Sequence, residues 1–403
     1  MVRILIVGDF LPDRGGVSTY VLNLSITLLV RYKHKVSILH TKKGSDIHFN
    51  ELSVFRLPHN LLRLLIYTLK GLKYSVKLIK IIPLLTIKPK DFIFATIIAG
   101  RLSEILWKQK FNIVHSNHLS LRSLITCIVA KENRIPCIIT AHGYDTEFPS
   151  NMLEYSLRKA CIDVANRIII LTRVKSLRVA KLYNAKNLVV VPNFVLCSKL
   201  NEYNLHEHKL IAKKTFAYNN MVVLTYIGRI VKEKGVFDAL KVIEDLEAIY
   251  PRKVVLLIAG KGRDEQKLKK LISEKRFKCV KYMGEANEVL KPNLLLATDV
   301  LLLPTYLKET FPTVLIEAMN YGAVPIVYYF PGIEEIFEHG IEGFILPQGD
   351  VRGLLSVVEK IISGEINIQE IQLKALARSR KYCAENVVLN IIKIYWETLY
   401  ETY

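Results

Sequence analysis

One stretch constrains this chain more than any other: Asp299-Val-Leu-Leu-Leu-Pro304-Thr-Tyr-Leu-Lys-Glu309-Thr-Phe-Pro312-Thr-Val-Leu-Ile-Glu317-Ala-Met-Asn-Tyr-Gly322-Ala-Val-Pro325. The unbroken apolar run Val300–Leu303, stopped by Pro304, predicts a parallel strand buried on both faces. A helix should follow, with Thr310 as its cap, Pro312 in its first turn, and Gly322 and Pro325 ending it. That puts Glu309 in the loop and Glu317 on the helix. On one continuous helix, eight positions would rotate the second carboxylate by roughly 80° and carry it about 12 Å along the axis. With the helix starting between them, both acids can face the crevice at the strand's carboxyl end, where free helix N–H groups attract phosphate.

A chain of 403 residues is long enough for two domains, each with its own core. Strands alternate with helices along it: residues 2–8, 36–40, 112–115, 137–140, 167–171 and 188–191 read as strands, with helices over 119–131, 151–166 and 172–183 between them. That alternation specifies a doubly wound parallel sheet, whose functional residues belong in loops after strands. Candidate loops are Gly15-Gly16, His115-Ser-Asn-His118, His142-Gly-Tyr-Asp145 and Pro192-Asn193. The glycine pair lets backbone approach a ligand closely, although it is not a dinucleotide-binding G-x-G-x-x-G. Residues 196–220 turn polar and broken and read as a linker. Pattern then resumes with strand 222–227, Gly228-Arg229-Ile-Val-Lys-Glu-Lys234-Gly235, strand 254–259, strand 280–283 with Gly284-Glu285 after it, and strand 324–328. Arg229 and Lys234 lie in a glycine-bracketed loop where cations and backbone donors can converge on a diphosphate.

Glu309 and Glu317, set between a strand and a glycine and proline, resemble the donor-site signature of the family 4 retaining glycosyltransferases. Gly228-Arg229-x5-Gly235 is similar to that family's phosphate-binding loop. The resemblance covers essentially the whole chain and is weakest over 41–110. It implies a GT-B fold: two Rossmann-like doubly wound parallel-sheet domains facing each other across a cleft. The first would span 1–195, the second 221–380, and the last helix, 381–403, would cross back to the first. It also implies roles. Glu309 would face the transferred sugar and Glu317 the ribose hydroxyls. Arg229 and Lys234 would hold the diphosphate, Gly284 and Glu285 the base. Thr310, Phe311 and Thr313 would supply backbone donors, Gly15 and Gly16 would approach donor phosphate and acceptor, and His142 would contact the sugar. Asp145 could orient the His142 ring or bind the acceptor, whereas His115 and His118 read as loop packing. Two motifs depart from the family pattern: Val195 and Leu196 replace the acid usual after Pro-Asn193, and Pro331 replaces the first glycine of Gly-Gly-x-x-Glu.

The implied reaction moves a sugar from a UDP- or GDP-sugar to an acceptor hydroxyl with retained configuration. No cofactor beyond that co-substrate is expected, and no metal, because Asp-x-Asp is absent. A nucleotide-sugar epimerase of the same fold, or an inactive membrane- or nucleic-acid-binding relative, are the alternatives.

Fifty-seven basic against 37 acidic residues give a formal charge of +20, which asks for an anionic partner. The basic residues are spread along the chain and no nucleic-acid motif accompanies them, so nucleic acid is not expected. Residues 58–90 hold no acid, and Lys70, Lys73, Lys77 and Lys80 recur at helical spacing among leucine, isoleucine and tyrosine. This fits an interfacial amphipathic helix on an anionic membrane, or a buried crossover helix with snorkelling lysines. A lipid-linked or other glycan acceptor at the cytosolic face of a membrane is therefore expected. The apolar runs are too short to span a bilayer, and Met1–Gly8 reads as a core strand rather than a leader. The six scattered cysteines read as reduced thiols of a cytoplasmic protein.

Overall fold

The computed structural model describes residues 1–11, 15–82, 87–287 and 289–402. The chain forms two compact units, Met1–Asn193 with Ala384–Tyr403, and Phe194–Cys383.

The first unit is built on an eight-stranded sheet. Its strands are β1 (Arg3–Val7), β2 (Lys35–Lys43), β3 (Ile47–Phe49), β4 (Leu52–Leu57), β5 (Ile113–Asn117), β6 (Cys137–Ala141), β7 (Arg167–Ile170) and β8 (Leu188–Val190), in the order β3-β4-β2-β1-β5-β6-β7-β8. All neighbours are parallel except β3 against β4. Helices α1 (Gly16–Ile26), α2 (Leu61–Ile81), α3 (Pro89–Lys108), α4 (Leu121–Glu132), α5 (Met152–Val164) and α6 (Arg173–Tyr183) cover it. Every residue of β5 and β6 is buried, as expected of parallel strands roofed on both faces. The sequence marks the helix starts: Ser120, Asn151 and Thr172 accept from the backbone N–H three residues on and open α4, α5 and α6.

Residues 41–110 hold more than the basic helix the sequence shows. The β3–β4 hairpin and α3 also lie here, β3 being short, with each of its residues exposed. Helices α2 and α3 touch backbone to backbone. A Cβ on Gly71 would sit 1.9 Å from the Thr96 carbonyl oxygen, and one on Gly100 1.9 Å from that of Tyr67. This crossed pairing of positions means the two helices run antiparallel.

The second unit carries a six-stranded, all-parallel sheet: β9 (Val222–Ile227), β10 (Val254–Ala259), β11 (Val280–Gly284), β12 (Val300–Leu303), β13 (Val324–Tyr328) and β14 (Phe344–Leu346), ordered β11-β10-β9-β12-β13-β14. Its helices are α7 (Leu205–Thr215), α8 (Val236–Ile249), α9 (Glu265–Glu274), α10 (Leu290–Ala297), α11 (Thr313–Asn320), α12 (Ile333–Ile336), α13 (Val351–Ser363) and α14 (Ile368–Ser379). The final helix, α15 (Ala384–Thr402), belongs to the first unit, where the buried Tyr395 hydroxyl meets His115 Nδ1 at 2.6 Å.

Two expectations need correction. The stretch 196–220 is not a bare linker, because α7 folds within it and buries Leu205, Lys209 and Ala212. Its pattern is disguised by Lys209, whose ammonium donates to the Thr298 carbonyl inside the protein. The cysteines are not all reduced either. Cys127 pairs with Cys137 and Cys197 with Cys383, each with Cα atoms 5.3 Å apart, leaving Cys161 and Cys279 as buried thiols. These partners meet only through folding, 10 and 186 positions apart, so no local spacing announces them. Among the described residues no helix is long and apolar enough to cross a membrane.

Candidate functional site

In the second unit the strand order reverses at β9, which lies between β10 and β12. At such a switch point the loops leaving adjacent strands part, and ligands bind at the carboxyl ends. The loop after β9 carries Arg229 and Lys234, and the loop after β12 carries Glu309. Gly235 brings these loops together. Its φ of +76° suits glycine, and a Cβ there would sit 1.8 Å from the Pro304 carbonyl oxygen. The Tyr306 N–H donates to the Glu233 carbonyl at 2.8 Å across the same contact. The result is a direct ion pair, Lys234 Nζ to Glu309 Oε1, both side chains mostly shielded from solvent. Thr305 Oγ1 lies 3.4 Å from the same carboxylate oxygen. The Tyr306 hydroxyl donates to Asp238 on α8 at 2.6 Å; burial, then this carboxylate, pushes the phenol up to about 12. Arg229 is exposed, and its backbone carbonyl accepts from the Tyr226 hydroxyl at 2.8 Å.

Helix α11 begins at Thr313 with Pro312 as its cap residue, so Thr310 is not the cap. Pro312 lies just outside the helix rather than in its first turn. Instead, Thr310 Oγ1 is buried without a hydrogen-bond partner among the described residues. Phe311 is buried, edge-on to Tyr382 with ring centres 5.3 Å apart. Glu317 sits on α11 as expected. Sequence reasoning missed its neighbour Lys291, whose Nζ on α10 lies 2.5 Å from Glu317 Oε2. This ion pair engages Glu317, so at this site Thr310 Oγ1 is the buried atom left without a partner among the described residues. Such unsatisfied buried atoms are costly and mark places where a ligand can supply the partner.

Gly284 and Glu285 close β11, two strands from β9. Gly284 has φ +70° and open space where a Cβ would stand, and Glu285 lies 3.3 Å from Lys261. The loops after β9 and β10 are pressed together, since a Cβ on Gly260 would strike the Gly228 carbonyl oxygen at 1.8 Å.

The first unit has its own switch point, where β1 lies between β2 and β5. Gly15 and Gly16 follow β1; among the described residues a Cβ on either would meet no atom within 4 Å. Pro12, Asp13 and Arg14 of the same loop fall outside the described residues. His142 follows β6, and its Nε2 lies 2.8 Å from Asn117 Oδ1. Because the Asn117 amide nitrogen donates to the Val7 carbonyl, its oxygen faces the ring, so Nε2–H donates and Nδ1 keeps its lone pair. Tyr20 and His118 pack edge-on to this ring, with centres 4.7 and 5.2 Å away. Burial, aided by His118, pushes the imidazole down to about 3, so it is neutral near pH 7.

Asp145 does not orient that ring by a hydrogen bond. It accepts from the Gly143 and Leu119 N–H groups at 2.8 and 2.9 Å and lies 3.6 Å from His118 Nδ1, tying the loops after β5 and β6 together. Burial alone would raise this carboxyl, but His118 and the Gly143 N–H outweigh it and hold it at about 2. His115 is a buried structural group, as its sequence context suggests. His118 is more than loop packing: it adopts φ +71° and flanks both His142 and Asp145.

Comparison with known proteins settles the family. Residues 14–199 match Glycosyltransferase Family 4, and residues 208–383 match Glycosyl transferases group 1. The chain belongs to the family 4 glycosyltransferases. This glycosyltransferase is 21% identical over 370 residues to an uncharacterized glycosyltransferase of Methanocaldococcus jannaschii, covering 88% of this chain and 89% of that one. Its fold is that of GT-B glycosyltransferases of known structure. Sucrose-phosphate synthase from Thermosynechococcus elongatus superposes with a TM-score of 0.76 at 16% identity, covering 100% of both chains. HepE of Anabaena, solved in complex with UDP-glucose, superposes at 0.68 with 16% identity, again over 100% of each chain.

Proposed function

We propose that this glycosyltransferase moves a sugar from a UDP- or GDP-sugar to an acceptor hydroxyl with retained anomeric configuration and without a metal ion. The observation that carries this reading is the Lys234–Glu309 pair at the β9/β12 switch point, beside the unsatisfied Thr310 hydroxyl and the Lys291-paired Glu317 carboxylate. A nucleoside diphosphate fits that arrangement. Its ribose hydroxyls would donate to Glu317, and its diphosphate would be met by Lys234, Arg229 and the N–H groups at Phe311, Thr313 and the start of α11. Gly284 and Glu285 are assigned to the base. Glu309 holds the Lys234 ammonium in place before the donor arrives, so the cation needs little reorganisation as charge builds on the departing diphosphate. Glu309 would then face the transferred sugar.

In the first unit, neutral His142 offers a backbone carbonyl and a ring nitrogen to a sugar hydroxyl, and Gly15 and Gly16 leave room for a substrate. The UDP-glucose bound by HepE makes a uridine donor the first to test. An acceptor carried on a membrane lipid is the finer part of this reading, supported by the basic, apolar helix α2.

The deciding experiment incubates the protein with UDP- and GDP-sugars in excess EDTA and follows nucleotide release and the anomeric configuration of the product. Turnover in EDTA with retained configuration supports the proposal. No thermal stabilisation by any nucleotide sugar would refute it.

A further inference from the structure

Helix α2 presents two stripes to solvent. Leu62, Leu65, Leu69, Leu72, Val76 and Ile79, spaced alternately three and four apart, are all more than a third exposed; Leu62 reaches 66%, Leu69 68% and Val76 53%. Beside them Lys73 and Lys80 follow the same seven-residue spacing, while Tyr67, Gly71, Tyr74, Ser75 and Leu78 fill the buried face. Trp107, 83% exposed, lies at the end of antiparallel α3 that adjoins the start of α2. Between the helices opens a cavity of about 930 Å³ with Arg63, Lys70, Lys73 and Trp107 on its wall. Its acids, Asp46 and Glu104, are already engaged by Arg101, Lys70 and Lys108, so the wall carries net positive charge.

We infer that this face of α2 and α3 docks on an anionic phospholipid bilayer, the leucine stripe entering the acyl boundary and the α2/α3 cavity receiving phosphate headgroups. A row of bare leucines is costly in water, and a continuous apolar stripe of this kind marks a docking face. Three partners could cover it, and charge chooses among them. A second copy pairing through the 3/4 stripe would set Lys73 and Lys80 near their own counterparts, with no acid between residues 58 and 90 to answer them. Nucleic acid would answer the lysines but leave the leucines wet. An anionic bilayer satisfies both, because lysines beside an inserted apolar face lie at headgroup depth. This rests on the membrane part of the proposed function and needs none of its transfer chemistry.

The test is flotation of the full chain, without donor, on phosphatidylcholine vesicles with or without about one-third phosphatidylglycerol at low salt. Flotation about tenfold greater on the anionic vesicles is expected. A Leu65→Asp/Leu69→Asp variant should lose at least about tenfold of it while melting as the parent does. Lys73→Glu/Lys80→Glu should lose a similar amount and flatten the salt dependence. Inorganic phosphate at matched ionic strength should not displace the protein. Equal flotation on neutral vesicles, none on anionic ones, release by phosphate, or retention by the leucine variant would overturn the inference. So would dimerisation abolished by Leu65→Asp/Leu69→Asp, or vesicle binding displaced by duplex DNA. Transfer to a soluble acceptor should be unchanged in the leucine variant; loss of transfer together with intact flotation would instead count against the transfer chemistry.

Discussion

The two switch points solve opposite electrostatic problems. In the second unit, Lys234 meets Glu309 and Lys291 meets Glu317 as opposite charges in half-open surroundings, and the buried Thr310 hydroxyl is left without a partner among the described residues. In the first unit, Tyr20, Asn117 and His118 pack around the uncharged His142 ring, whose second proton is excluded by burial, and the nearby Asp145 charge is spent on two backbone N–H groups and His118. In the proposed function the region in the second unit exchanges partners with an arriving anion. The other is arranged to keep its shape and offer neutral hydrogen-bonding groups.

The largest effects should come from the charged region. Lys234→Ala and Glu309→Ala should each lower turnover by roughly a hundredfold to a thousandfold while the melting temperature holds. Near-normal rates in steady-state assays would break the contrast. Next is Gly235→Ala, which forces a Cβ against the Pro304 carbonyl at positive φ. A loss of about 2 kcal/mol or more in denaturant titration is expected, together with loss of turnover.

The neutral region should reveal itself through acid. His115 and His142 are both held down at about 3 from an ordinary 6.5, so between these values the unfolded chain binds more protons and stability falls as pH falls. For fully buried His115 alone the loss is on the order of a few kcal/mol. Asp145, depressed from 3.8 to about 2, adds a further loss below pH 4. Thermal melts from pH 7 downward check this, and a flat profile would mean the rings are wetter than their packing indicates. The smallest effect sharpens the comparison. Lys291→Ala should lower the donor KM by about two- to threefold with kcat nearly unchanged, by freeing Glu317 for ribose.

How much could be read beforehand follows the range of the interactions. Strand, loop and helix over 299–325 are local, so the places of Glu309 and Glu317 were legible from residue order. Lys291 was not, because it reaches Glu317 from another helix through tertiary packing. Thr310 looked like a cap by composition, yet the chain takes Pro312 as the boundary and buries the threonine hydroxyl instead. The hairpin over 47–57 escaped because exposed residues fill β3, and α7 escaped because one of its few inward residues is a lysine. His118 was underrated since its contacts run to another loop, Asp145 and His142, rather than along its own.

The Cys197–Cys383 bond has a consequence for connectivity. Backbone passes between the two units at residues 193/194 and again at 383/384, and Val195 N–H donates to the Tyr382 carbonyl at 3.0 Å beside the bond. Residues 197–383 therefore form a covalent ring that hangs from the rest of the polypeptide by two adjacent stems. A protease that nicks this ring once should leave a product of full mass on a non-reducing gel, and only a reductant should release two fragments.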